Sequence, residues 1–310
     1  MKTALDTDGF VHIEKFLDDR EIADLLRFAE EVGHGAGAGY FGKRLVTAIE
    51  DPSQIPAVVQ EKLHKLQLDL FGTDMILTHS GIFSVDPEDP EHSVNFPFHQ
   101  EHGSFYDFGQ HLRYTNLYLV LDKEDISHSN VTVVPFSKLK SSDPELSDIA
   151  VGSGAARYTG KTRVDDNAGG SHTFRVDIDS IAHTPLLAPG DLLVLRGDII
   201  HRTQNQKIKR TSISIRSVAA DVVAYRETFD NSCGMKLAFM LSDCDYYGER
   251  DYIFETHGTA HMSARQLQEA RSDIRRATEA GNKPAGLEAH VASFSARLRE
   301  LQKNLQSSAQ

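Results

Sequence analysis

The 310-residue sequence has no tryptophan, only two cysteines and no long apolar run. Cys233 and Cys244 are too few for the disulfide framework of a small secreted domain, and no CxxC or Cys/His zinc spacing occurs. No window approaches the roughly 18 apolar residues of a membrane span, and the N-terminal segment lacks the apolar core of a signal peptide. We therefore expect a cytoplasmic protein without a membrane segment.

Positive charge is also scarce. Lys and Arg number 33 against 45 Asp and Glu, which gives a formal net charge of −12 at pH 7. An acidic protein is a poor general ligand for phosphate backbones and anionic lipid, so we expect no nucleic-acid and no membrane partner. The expected partner is a small-molecule substrate. Hydrophobic residues make up 40% of the chain, an ordinary share for a globular protein, which excludes global disorder.

Two helices are predicted near the N-terminus. Asp18 and Glu21 form a D-x-x-E capping box before an apolar stripe of helical period, and Gly33 is a suitable end for that helix. A second stripe of the same period predicts a helix over 53–70, which Gly72 would end.

The C-terminal part is also predicted to be helical. Ser263 and Gln266 form a capping box for a helix that ends near Gly281, and another helix follows Pro284. Apolar residues of this last helix recur at alternating steps of three and four: Val291, Phe294, Leu298, Leu301 and Leu305. Such a seam favours packing onto the chain's own body, with a homodimer contact as the alternative.

The middle of the chain indicates β-structure, because its apolar runs are short, rich in β-branched residues and separated by turn residues. The predicted strands are 75–84, 113–121, 131–135, 173–178, 191–196 and 210–218. Strands in series without helices between them predict a sandwich or barrel. The Gly-, Ala- and Asp-rich segment 150–171 is predicted to be a long loop, and a lid is one function for it. We expect a domain over 1–225 and a mostly helical C-terminal extension over 226–310.

Two histidines of the fifteen stand in informative positions. His99 and Glu101 are two residues apart, and in an extended segment both side chains point to the same face. His201 follows a strand that a Pro189-Gly190 turn introduces. Two imidazoles and one carboxylate leave open positions on an octahedral metal, the arrangement of non-haem Fe(II) oxygenases.

The residues after His201 support this interpretation. Thr203 lies two residues on, and Arg210 lies nine residues on, at the start of a predicted strand. A guanidinium binds a carboxylate through two parallel hydrogen bonds, and a hydroxyl adds a third. Such a pair suits the far carboxylate of a keto-acid cosubstrate.

The chain resembles the phytanoyl-CoA dioxygenase family of Fe(II)/2-oxoglutarate oxygenases between Asp8 and about Arg216. TDGFVHIEKFLD resembles the family's opening segment, and FPFHQE resembles its first metal-ligand segment. NVTVVPFSKL is similar to the segment usually written NGPL-x-x-PGSH. PGDLLVLRGDIIHRTQNQKIKR is similar to the segment that carries the distal histidine and the 2-oxoglutarate arginine. The order and spacing of the four pieces are more specific than any one of them.

The resemblance implies a double-stranded β-helix, or jelly roll, with helices packed on one side. It implies Fe(II) held by His99, Glu101 and His201, with 2-oxoglutarate and O₂ as cosubstrates. The matching positions for binding 2-oxoglutarate are Thr203 and Arg210. The implied reaction is oxidation, most often hydroxylation, of a C–H bond, with succinate and CO₂ as coproducts.

Further residues near the motifs are candidate site residues. Asn116, on a predicted strand, is a candidate for binding 2-oxoglutarate. The aromatic and polar side chains of His102, Phe105, Tyr106 and Tyr118 are candidates for the wall of a substrate pocket, with packing in the core or rim as the alternative.

The sequence departs from the family pattern at three places. Glu101 stands where the family usually has aspartate, and 135–138 reads Pro-Phe-Ser-Lys in place of PGSH. Arg210 lies close to the histidine for this family, so Arg216 competes with it as the anchor. The two arginines share a strand face, about 20 Å apart at 3.3 Å per residue. We predict that Arg210 is the anchor.

Three functions follow from these observations. The first is oxidative tailoring of a small metabolite in biosynthesis, because no basic cluster suited to the phosphates of coenzyme A stands out. The second is hydroxylation of an acyl-CoA, as in the named family. The third is a non-oxygenase, cupin-like protein that binds a metal or a small ligand, but such a protein would not need Arg210 or Thr203.

Overall fold

The computed structural model describes residues 1–33, 38–40, 43–49, 54–78, 80–86, 88, 98–101, 108, 113–150, 157–159, 163–165, 171–204, 208–229 and 244–308. Its helices are Lys2–Asp8 (α1), Asp19–Gly33 (α2), Ala57–Phe71 (α3), Phe136–Ser142 (α4), Pro144–Ala150 (α5), Ile178–Ile181 (α6), Cys244–Thr256 (α7), Ala264–Glu279 (α8) and Leu287–Ser308 (α9).

The strands are Phe10–Ile13 (β1), Ala38–Tyr40 (β2), Lys43–Ile49 (β3), Met75–Leu77 (β4), Ser80–Val85 (β5), Tyr114–Lys123 (β6), Val131–Val134 (β7), Arg157–Thr159 (β8), Arg163–Asp165 (β9), Ser171–Thr173 (β10), Leu192–Arg196 (β11), Ile200–Thr203 (β12), Arg210–Ala219 (β13), Val223–Tyr225 (β14) and His261–Ser263 (β15).

One large antiparallel sheet organises the molecule. Its strands follow the order β1-β11-β6-β13-β5-β3-β2, and β4 pairs with the far end of β13. A two-stranded sheet, β7 with β12, carries His201. The smaller sheets are β8-β9-β10 and β14-β15. The described part of the chain is therefore mainly antiparallel β-structure with helices around it.

The two faces of the large sheet bury different partners, because successive side chains of a strand point to opposite faces. Leu117 and Leu119 of β6 and Ile213 and Ile215 of β13 join one core with helices α2 and α3. The opposite face of β6 and β11 packs against β7 in a second core. The residues of that second core include Tyr118, Val120, Val131, Val133, Leu193 and Leu195. The inner face of the large sheet is thus covered by the small sheet that carries His201.

The C-terminal helices pack on the end of the sheet where β4 meets β13. Ile253 and Phe254 of α7 share a core with Val218 of β13. In α9, Phe294 and Leu298 of the predicted seam are buried, whereas Leu301 is 41% exposed. The central part of the seam thus packs within the chain, and the homodimer stays a prediction.

The predicted capping boxes are confirmed. The Asp18 backbone N–H donates to Glu21 Oε2, and the Glu21 N–H donates to Asp18 Oδ1, both at 2.9 Å. Ser263 and Gln266 make the same reciprocal pair at the start of α8. The helix predicted over 53–70 begins only at Ala57, because Pro56 is its N-cap residue.

Three predictions about the middle of the chain need correction. The strand predicted over 75–84 is two strands, β4 and β5, because their registers against β13 differ by one residue: Leu77 pairs with Ser217, whereas Gly81 pairs with Ser214. The strand predicted over 173–178 is wrong, since β10 ends at Thr173 and Ile178 begins α6, which Asp177 caps. Within the loop predicted over 150–171, the described residues of β8, β9 and β10 pair instead as a small sheet.

No helix among the described residues is both long enough and apolar enough to cross a bilayer.

Candidate active site

His99 and His201 lie side by side although they are about a hundred residues apart in sequence. Each backbone N–H donates to the carbonyl of the other residue at 2.9 Å, as in an antiparallel pair. The two imidazole rings lie 4.3 Å apart between centroids. The turn that introduces β11 forms as predicted, with Gly190 at φ 88°, a conformation that favours glycine.

The tautomer of His201 suits a metal ligand. Its Nδ1 lies 3.0 Å from the Ile199 carbonyl oxygen, which only accepts hydrogen bonds, so Nδ1 carries the proton and Nε2 keeps its lone pair. Burial lowers the pKa of His201, and it outweighs the nearby Glu101 carboxylate, which acts in the opposite direction. A neutral imidazole is the form that binds metals.

Glu101 is a buried carboxylate that accepts hydrogen bonds from Arg216 and Asn116. Arg216 Nε donates to Oε1 at 3.0 Å, and Asn116 Nδ2 donates to Oε2 at 2.9 Å. Ser214 Oγ donates in turn to Asn116 Oδ1 at 2.7 Å, which fixes the orientation of that amide. Burial by itself would lower the pKa of Arg216, but the Glu101 carboxylate reverses this and holds the pKa above its ordinary value.

The Glu101 carboxylate faces Arg216 and Asn116, and it does not yet close a three-ligand cluster with the two imidazoles. Among the described residues, three candidate ligand atoms lie within 4.8 Å of one another only at Asp251, Glu255 and His290. There the Arg226 guanidinium donates to both carboxylates, so that cluster is an ion-pair network. Two imidazoles and a carboxylate do fit Fe(II) by donor type.

Arg210 lies at the other end of β13 from Arg216. It is 3% exposed, and its Nη1 donates to the Ser129 carbonyl at 2.6 Å. Its guanidinium carbon lies 5.7 Å from the centre of the Tyr118 ring. Arg210 Nε and the Tyr118 hydroxyl are buried and have no hydrogen-bond partner among the described residues. Two buried donors without acceptors are the complement of an anion.

The other predicted residues are placed as follows. Thr203 ends β12, on the strand of His201, and is partly exposed. Tyr118, predicted to line the substrate pocket, lies beside Arg210. His102, Phe105 and Tyr106 lie outside the described residues.

Sequence reasoning did not identify two polar residues of this region. Ser214 is one, although its even spacing from Arg210 and Arg216 was a usable signal for the same face. Lys123 is the other. No sequence signal places its side chain in the interior, because a β-bulge in the pairing of β6 with β13 sets the direction of that side chain.

No family model matches the sequence, and no curated protein matches it. Solved structures do share its fold. An epimerase of nogalamycin biosynthesis, SnoN, in complex with Fe³⁺, alpha ketoglutarate and nogalamycin RO, aligns with a TM-score of 0.53 at 16% identity. The alignment covers 72% of this chain and 84% of SnoN. EctD from S. alaskensis in its apoform aligns with a TM-score of 0.52 at 12% identity, over 73% of this chain and 78% of EctD. At such low identities the likeness establishes the fold.

Proposed function

We propose that this protein is an Fe(II)/2-oxoglutarate-dependent dioxygenase that hydroxylates a C–H bond of a small metabolite in biosynthetic tailoring. The observation that carries the proposal is the pairing of His99 with His201 beside a buried Glu101, on the inner face of the sheet. SnoN and EctD, whose fold this chain shares, have been solved with iron and 2-oxoglutarate. They support this class of enzyme. We propose in addition that the core is a double-stranded β-helix and that the chain is related to the phytanoyl-CoA dioxygenases, as its sequence motifs indicate.

In this proposal the metal ligands are His99, His201 and Glu101. Bound iron would supply oxidation by O₂ coupled to decarboxylation of 2-oxoglutarate, with succinate and CO₂ as coproducts. The protein holds His201 neutral and in one tautomer through the Ile199 carbonyl. Arg216 and Asn116 hold the Glu101 carboxylate in place as the third ligand.

The cosubstrate binds at the Arg210 end of β13. The distal carboxylate of 2-oxoglutarate accepts from Arg210 Nε and from the Tyr118 hydroxyl, which are buried donors without an acceptor among the described residues. Thr203, on the adjacent sheet, adds a hydroxyl donor. We assign the anchor to Arg210 and not to Arg216, because the charge of Arg216 is already paired with the Glu101 carboxylate.

The test is addition of 2-oxoglutarate to the protein loaded with Fe(II) in the absence of oxygen. Chelation of the metal by the keto acid should produce a weak visible charge-transfer band, and the band should be absent in His201→Ala. A cupin-like protein that binds metal alone gives no such band, and that result would refute the oxygenase. A metabolite screen for coupled release of succinate then identifies the substrate.

A further inference from the structure

A β-bulge turns Lys123 toward the inside of the molecule. In the ladder between β6 and β13, Ser212 pairs with Val120 but Thr211 pairs with Asp122, so Leu121 has no partner. Without this extra residue, alternation would place Lys123 on the outer face with Leu119 and Leu121. A bulge re-aims the side chains beyond it. Lys123 instead stands directly opposite Arg210, on the same inner face, and is 6% exposed.

This arrangement places two cations together in the interior. Directly opposed residues of an antiparallel pair have Cβ atoms about 5 Å apart, and like charges there repel. Lys123 Nζ donates to Asn130 Oδ1 at 2.5 Å, and Arg210 Nη1 donates to the Ser129 carbonyl, so both have neutral acceptors. Neither forms an ion pair with a carboxylate of the described residues. Burying two like charges without a counter-ion is unfavourable, and a bound anion removes the penalty.

The charge state of Lys123 reflects the same arrangement. Burial, and then the neighbouring Arg210 charge, lower the pKa of Lys123 to about 8, while Asp125 and Asp191 act in the opposite direction. Lys123 is therefore protonated in most molecules at pH 7, and it is neutral in most molecules at pH 9.

We propose that Lys123 and Arg210 together bind the distal carboxylate of 2-oxoglutarate, so that two cations select a dicarboxylic keto acid as cosubstrate. This inference rests on the function proposed above, and it adds Lys123 as a residue that determines cosubstrate specificity.

The experiment is calorimetric titration of the Fe(II)-loaded protein with 2-oxoglutarate in the absence of oxygen. Lys123→Met removes the charge and keeps the length of the side chain, and Asn130 Oδ1 still accepts from the Leu187 N–H. The matched control is Lys209→Met. It removes a lysine charge next to Arg210 in sequence, but this lysine is on the surface, where it pairs with Asp86.

We expect Lys123→Met to weaken 2-oxoglutarate binding about tenfold or more, because it removes one charge-assisted contact. The Lys209→Met protein should bind 2-oxoglutarate like the wild type. The same titration with 2-oxopentanoate, which has a methyl group in place of the distal carboxylate, should be unaffected by Lys123→Met. An equal loss for both keto acids would assign Lys123 a purely structural role and overturn the inference, as would no loss at all. Failure of the wild type to bind 2-oxoglutarate would instead refute the proposed function.

A second measurement needs no variant. Because the protonated lysine is the binding form, wild-type affinity for 2-oxoglutarate should fall about tenfold from pH 7 to pH 9, whereas affinity for 2-oxopentanoate should lack this extra loss. Parallel profiles for the two keto acids would contradict the role of Lys123 even if Lys123→Met fails to fold.

Discussion

The two ends of strand β13 carry buried arginines with opposite surroundings. At one end, Arg216 forms an ion pair with the Glu101 carboxylate at 3.0 Å. At the other end, Arg210 faces Lys123 and the Tyr118 ring, and none of the described carboxylates pairs with it. Both arginines are less than 5% exposed, at 4% for Arg216 and 3% for Arg210.

Under the proposed function, Arg216 has a structural role, and Arg210 binds a ligand. A buried ion pair is neutral as a whole, so the Arg216 charge is already neutralised within the protein, and Arg216 holds Glu101 near the two imidazoles. The Arg210 end keeps net positive charge and unused donors, which an anion from solution would neutralise. One strand thus links the proposed metal ligand to the proposed anion site.

The largest effect is expected at the paired imidazoles. His99→Ala and His201→Ala should each abolish iron binding and 2-oxoglutarate-dependent succinate formation, because each removes one ligand while the backbone pairing remains. Iron content and succinate release are the measurements, with circular dichroism to check the fold. His183→Ala is the matched control, since His183 also pairs through its backbone, with Val133, but outside the proposed site. Near-normal turnover in either variant would remove that histidine from the metal site.

The free energy of unfolding should be more sensitive to substitution of Arg216 than to substitution of Arg210. Arg216→Met leaves the Glu101 carboxylate buried and unpaired, and we expect a loss of about 3–5 kcal/mol in the free energy of unfolding. The additional substitution Glu101→Gln removes the unpaired buried charge. The double variant should therefore recover much of the lost free energy of unfolding, as measured by denaturant titration. Arg276→Met, at an exposed pair with Asp273, should cost less than about 1 kcal/mol. No recovery in the double variant would show that Arg216 acts by packing and not by charge.

The affinity for 2-oxoglutarate should be more sensitive to substitution of Arg210 than to substitution of Arg216. Arg210→Ala breaks the proposed guanidinium–carboxylate contact, and we expect 2-oxoglutarate binding to weaken by about 2–5 kcal/mol. In the same titration Arg216→Met should change the dissociation constant much less. The reverse result, a large loss in Arg216→Met with little change in Arg210→Ala, would reassign the anchor to the other end of the strand.

Thr203 should have the smallest effect. Thr203→Ala removes one neutral hydroxyl donor, which corresponds to about 1 kcal/mol of 2-oxoglutarate affinity. Thr203→Ser retains the hydroxyl and is the matched variant. If the alanine variant loses as much as Arg210→Ala, Thr203 holds the cosubstrate more directly than its position at the end of β12 indicates.

Local rules made part of the site predictable. The H-x-E spacing places two ligand types two residues apart, and a capping box needs only its own four residues. Strand β13 was predicted within one residue at its end, because its alternation of buried Ile and polar residues is a local pattern. The even spacing of Arg210 and Arg216 placed both on one face for the same reason.

The sequence by itself determined the capped starts of α2 and α8, the main central strands and the candidate metal ligands, since each depends on neighbours along the chain. Only the tertiary structure decided that His99 pairs with His201 through the backbone, that Arg216 and not Arg210 neutralises Glu101, and that Lys123 turns inward. Those outcomes depend on which strands lie side by side and on a one-residue bulge in their register. A bulge reverses the direction of every side chain beyond it, and strand pairing is set by the burial of whole faces, which no short stretch of sequence encodes.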